Sequence, residues 1–198
     1  MTPIDKPGYI VIRSRRRTLS LLVDKNGDVV VRAPIFASSA RIDSFVKANE
    51  AFIEKYRKKT DEENSRADSL GAYTKDDIKR FKETALKVFP EAVRHYADLL
   101  GVKTGKITVR RQTTRWGSCS ASGNISLNIL LCDCPENVMM SVIAHEVCHL
   151  KVKNHGKSFY ELLYKVFPGY NEARAWLNKN GNILQRRYDL YLANVKNA

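Results

Sequence analysis

The chain has 198 residues, 43% of them hydrophobic and 28% charged. That length and composition exclude a collagen-like, low-complexity or wholly disordered chain and predict one domain, or one with a small appendage. Thirty-four Lys and Arg against 21 Asp and Glu give a formal net charge of +13, which points to an anionic partner or to a merely solvated basic surface.

No apolar run approaches the ~18 residues of a membrane span. The start, MTPIDKPGYI, lacks the basic and apolar regions of a secretory signal. Cysteines stand at 119, 132, 134 and 148 with no C-x-x-C pair. These features predict reduced thiols, a cytoplasmic setting and no membrane partner.

Tyr9–Arg13 and Leu19–Val23 read as strands flanking the densest basic cluster, Arg13, Arg15, Arg16 and Arg17. Asn26-Gly27 marks a hairpin whose return strand, Asp28–Arg32, ends before Pro34. Ser38 or Ser39 caps a helix to about Lys59, with Ile42, Phe45, Val46, Phe52, Ile53 and Tyr56 at helical spacing. Residues 60–73 are polar and aperiodic and read as a linker or exposed loop.

Thr74 caps the next helix, whose buried face is marked by Ile78, Phe81, Ala85, Leu86 and Phe89. Pro90 marks a kink and Gly101 a stop. Strands are expected at Ile107–Arg111, Arg115–Cys119 and Asn124–Leu130, the last two joined around Ser122-Gly123. A helix from about Pro135 to Val152, with Asp133 as its cap, precedes three shorter ones: Ser158–Phe167, Asn171–Asn178 and roughly Leu184–Val195. The expected organisation is therefore a hairpin plus helix over 1–59, a linker over 60–73 and a second domain over 74–198.

Three of the four histidines fall between positions 145 and 155. His145 and His149 are i and i+4 on the predicted helix, so both imidazoles share one face, where they can hold one metal ion. Glu146, about 100° around the helix, can reach a water at that ion without being a ligand. His155, beyond the helix end, can fold back as the third ligand. Three neutral nitrogens leave a fourth tetrahedral position open, the arrangement of a catalytic zinc, one Zn2+ per chain. Glu146 is then the general base. In the bland reading, the histidines are hydrogen-bonded core or surface residues and Glu146 is in a local ion pair.

Arg115-Trp116-Gly117-Ser118-Cys119, Asn124-Ile125-Ser126-Leu127-Asn128 and the H-E-x-x-H-x5-H run together resemble the YgjP-like metallopeptidase family. The resemblance spans most of the chain, including the segment Arg13 to Ser20. It is similar to the SprT-like and WLM zincins in placing H-G-x-x-F, here His155 to Phe159, after the second histidine. The resemblance implies an α+β, zincin-like fold with a small antiparallel sheet over the metal-binding helix. The histidine spacing also equals that of the metzincins, whose central glycine is replaced here by Val152.

A developing oxyanion needs a donor, and Tyr160 and Arg115 are the candidates; either can instead be structural. Asn128 and Asn124 can bind substrate backbone or only cap turns. Trp116 reads as core packing and Cys148 as a small buried residue behind the site. The leading expectation is a zinc peptidase acting on a peptide or protein, including nucleic-acid-associated protein. An alternative is nucleotide phosphoanhydride hydrolysis with Mg2+ or Mn2+, in which Arg15, Arg16, Arg110 and Arg111 hold phosphates. A further one is a basic nucleic-acid-binding protein with a non-catalytic metal site.

Overall fold

The computed structural model describes residues 4–6 and 8–197. The chain divides into two compact units, Met1–Ser69 and Leu70–Ala198, and is an α+β protein.

In the first unit, β1 (Ile4–Lys6), β2 (Tyr9–Ser14), β3 (Ser20–Val23) and β4 (Val29–Pro34) form one sheet in the order β1-β2-β4-β3. The Asn-Gly hairpin forms as expected: Val23 pairs with Val29, Gly27 takes φ +86°, and the Asp24 carboxylate accepts from the N–H groups of Asn26 and Asp28. β2 and β4 are parallel, so the hairpin is embedded in a larger sheet. Val11, Val29, Val31 and Ala33 point from this sheet into a core shared with Ile42 and Ile53.

The single helix expected after Ser38 is two. α1 (Ser39–Ala48), capped by Ser38, stops at Asn49, whose side-chain amide donates to the Phe45 carbonyl. α2 (Glu50–Leu70) then runs through the segment expected as a linker. Its residues 60–70 are polar because that stretch is mostly exposed, yet Ala67 is buried and Lys59 pairs with Glu63 at i, i+4. Gly71, at φ +75°, follows its end.

The second unit opens with α3 (Lys75–Leu100), started by a reciprocal capping box between Thr74 and Asp77 and ended by Gly101 in the left-handed conformation. Pro90 lies inside it without ending it. Ile78, Phe81, Ala85 and Phe89 are buried as expected, but Leu86 is 72% exposed because it sits 100° away from that stripe. β5 (Ile107–Arg110), β6 (Gly117–Cys119) and β7 (Ile125–Asn128) form a sheet in the order β5-β7-β6. It is mixed: β6–β7 is antiparallel, as expected, whereas β5–β7 is parallel.

After a 3-10 turn (Ile129–Asp133), α4 (Glu136–Cys148) passes through the core. Val142, Ile143, Val147 and Cys148 pack with Phe89 and Val93 of α3 and with Ile125 and Leu127 of β7. Pro135, not Asp133, precedes its first turn. The Asp133 carboxylate instead accepts from the Tyr73 hydroxyl at 2.7 Å and pairs with Arg187 at 3.3 Å. α5 (Lys157–Val166) follows, then α6 (Tyr170–Lys196). α6 replaces two expected helices. Asn180-Gly181 reads as a break, but Gly181 is buried in mid-helix, and a Cβ there would come within 2.9 Å of the Trp116 ring. The glycine makes room for an indole. No helix among the described residues is long and apolar enough to cross a membrane.

Candidate metal centre and active site

His145 lies in the last turn of α4, and His149 caps it. The chain then turns through successive tight backbone bonds, Leu150 N–H to Val147 and Lys151 N–H to Cys148, and His155 is carried back just ahead of α5. No described non-glycine residue has positive φ, so the turn at Val152 needs no glycine. The Nε2 atoms of the three histidines converge: His145 to His149 is 3.2 Å, and His155 is 3.0 Å from each. Nitrogens bound tetrahedrally at 2.0–2.1 Å from one ion stand about 3.3 Å apart. The triad therefore has nearly the spacing of a zinc ligand set. It is the one group of three or more ligating side chains found among the described residues.

The surroundings fix the tautomer of His149. His149 Nδ1 lies 3.0 Å from the Val152 carbonyl oxygen, which only accepts, so that nitrogen carries the proton and Nε2 presents a lone pair to the centre. His145 Nδ1 is 3.1 Å from the Tyr170 hydroxyl, and the two rings stack at 19°. Burial, with the neighbouring histidines and Arg174 adding to it, pushes the His145 pKa down to about 3. His145 therefore presents neutral nitrogen across the physiological range. Phe159, fully buried, lies beneath all three imidazoles, its ring centroid 4.9, 4.5 and 4.9 Å from those of His145, His149 and His155. These contacts set the ring orientations without adding a polar competitor.

Glu146 is buried beside β6. A Cβ on Gly117 would come within 2.6 Å of its Cγ and 2.7 Å of its Oε1, so the missing side chain is the space its carboxyl uses. Burial raises the Glu146 pKa to about 7, and the positive charge of Arg115 opposes that rise. A carboxyl poised there can exchange protons near neutrality. His145, Glu146, Tyr170 and Arg174 line a cleft of about 210 Å³ between α4 and α6.

The other sequence-derived candidates fall out differently. Tyr160 sits near the triad, its ring 6.4 Å from that of His155. Arg115 is exposed at the start of the Trp116-Gly117 segment. Asn128 is fully buried with its groups already used: its amide donates to the Gln112 and Arg115 carbonyls and its oxygen accepts from Leu130 N–H. It holds the loop before β6 and has nothing left for substrate. The Asn124 side chain is similarly engaged with Lys106 N–H and the Ser122 hydroxyl. Arg111 pairs with Asp189 at 2.7 Å and covers the Tyr188 ring, so it is structural. Arg110 is exposed on β5. Arg15 and Arg16 belong to the first unit, where Arg16 donates to the Ser20 hydroxyl. Cys148 is fully buried outside the ligand cluster, its thiol pushed up to about 11 by burial.

Sequence reading missed Tyr170, Gly117 and Arg174. Tyr170 and Arg174 are brought in by α6, far from the motif in the chain. Gly117 stood in a motif, but its neighbour Glu146 is a tertiary fact.

A family model for the YgjP-like metallopeptidase domain matches residues 60–180. The chain is 26% identical over 119 residues to the UTP pyrophosphatase of Escherichia coli (strain K12), covering 56% of this chain and 68% of that protein. Among solved structures it is similar to the metallopeptidase zymogen of Pyrococcus abyssi abylysin, with 27% identity and a TM-score of 0.42 over 46% of this chain and 94% of the other. The zymogen of Methanocaldococcus jannaschii jannalysin gives 22% and 0.43, over 47% and 96%. The family match extends over more than half of the residues, and the chain belongs to the family of YgjP-like metallopeptidase domains.

Proposed function

We propose that this protein is a zinc-dependent peptidase in which His145, His149 and His155 hold the ion and Glu146 is the general base. The observation that carries the proposal is the convergence of three Nε2 atoms within 3.2 Å beside a buried carboxyl. When bound, the ion would supply Lewis acidity and lower the pKa of a water beside Glu146. Glu146 accepts the proton of the attacking water and returns it to the departing amine. Tyr160 and Arg115 are the candidate donors to the oxyanion that develops on the substrate carbonyl. Phe159, Tyr170 and the Val152 carbonyl keep the imidazoles aimed. A cytoplasmic setting is part of the proposal and rests on four free thiols.

The similarity to a UTP pyrophosphatase favours a second reading, nucleotide phosphoanhydride hydrolysis. Mg2+ and Mn2+ prefer oxygen donors, and a set of three imidazole nitrogens suits them poorly. The test is hydrolysis of a mixed peptide library and of UTP by wild type and Glu146→Gln. Peptide cleavage that falls roughly 10²- to 10⁴-fold in the variant supports the peptidase reading. UTP cleavage without peptide cleavage supports the second.

A further inference from the structure

The cleft between α4 and α6 has features that holding and attacking a peptide bond do not require. Its walls are apolar, formed by Trp116, Val142 and Leu177, and the His145–Glu146 pair lines the same space. Ser141 lines it too, its hydroxyl donating to the Val138 carbonyl. Glu146 is the only acidic residue in the lining. Arg174, one turn after Tyr170 on α6, also lines it and is exposed.

Arg111 and Arg187, also in this unit, have the Asp189 and Asp133 carboxylates as ion-pair partners. Arg174 has no such partner among the described residues. An unpaired guanidinium over an apolar cleft that opens onto the reacting groups is a receptor for an anion. The single cation, with the Asn178 amide one turn further along α6, suits one carboxylate on a short aliphatic stem. A polyphosphate would leave most of its charge against Trp116, Val142 and Leu177.

We propose that this cleft is a specificity subsite that seats the side chain of an acidic residue close to the scissile bond, with Arg174 binding its carboxylate. The inference rests on the peptidase reading and names its substrate class. Arg174 acts on substrate choice and takes no part in proton transfer.

The experiment is a set of matched peptides with Glu, Gln or Lys placed in turn at each position flanking the cleaved bond. Cleavage is measured with the metal-loaded wild type, Arg174→Ala, Arg174→Lys and Arg174→Glu. Binding of the same peptides to Glu146→Gln, with and without Arg174→Ala, is measured by calorimetry. Wild type is expected to favour Glu over Gln at one position by about tenfold in kcat/KM, the size of one exposed charge-assisted contact. Arg174→Lys keeps part of that preference, Arg174→Ala abolishes it, and Arg174→Glu shifts it to Lys. An equal fall on all peptides in Arg174→Ala would overturn the subsite and make Arg174 a general electrostatic element. Arg174-dependent binding of UTP with no preference among peptides would overturn it in favour of a phosphate. If no peptide is cleaved yet Glu peptides bind in an Arg174-dependent way, the peptidase reading fails, and with it the specificity role, while the Arg174 carboxylate contact stands.

Discussion

One carbon atom decides whether Glu146 keeps its place. Gly117→Ala would put a methyl within 2.6–2.9 Å of the Glu146 side chain, so the carboxyl must move while the histidines stay. A displacement near 1 Å at a reacting group costs on the order of 10²-fold in rate. The expected result for Gly117→Ala is therefore a large loss of kcat with metal content unchanged by elemental analysis. Tyr170→Phe addresses the ligands instead. It removes the hydroxyl 3.1 Å from His145 Nδ1 but keeps the ring. Outer partners of this kind are worth about 10-fold or more in metal affinity. A chelator competition titration is expected to show that loss, with the thermal midpoint of the metal-free protein little changed. The clustering of the three proposed ligand histidines was legible from spacing, because one helix carries His145, Glu146 and the capping His149. Tyr170, Gly117 and Arg174 were not, since each meets the motif only through tertiary packing.

Among the elements, α3 offers a pH test away from the site. The Asp77 carboxylate accepts from Thr74 N–H and its hydroxyl, and these bonds hold its pKa below the usual range. A depressed carboxyl stabilises the fold above its unfolded pKa near 4, and the contribution fades as pH falls through the folded value. Asp77→Asn is expected to cost about 1 kcal/mol or less in urea unfolding at pH 7, and the difference from wild type should shrink below about pH 4. The Thr74 cap and Gly101 stop of α3 were legible because capping is local chemistry. The ends of α2 and α6 were not. The 60–70 segment of α2 is mostly exposed, so its polarity carried no sign of helix. Gly181 reads as a breaker until Trp116 is seen to occupy the space it leaves. The mixed sheet was hidden for a related reason, since strand direction follows from pairing and not from the pattern along one strand.

At the scale of the whole molecule, every group in the proposed centre lies in the second unit, Leu70–Ala198, and the basic cluster from Arg13 to Arg17 lies in the first. The net charge of +13 is therefore divided between the two units. Arg13 and Arg16 are partly used in structure, Arg13 donating to three backbone carbonyls of residues 34–37. In the second unit Arg111 and Arg187 are likewise paired, whereas Arg110, Arg115 and Arg174 are exposed. Composition gave the sign of the charge, and only the fold separated the structural cations from the free ones. The claim on which all this rests is that three imidazoles share one metal ion. Elemental analysis of the untagged protein beside His149→Ala tests it most directly. The expected result is about one zinc per chain in wild type and none in the variant. Equal metal content in the two proteins, or a well-folded wild type that takes up no transition metal when it is offered, would contradict it.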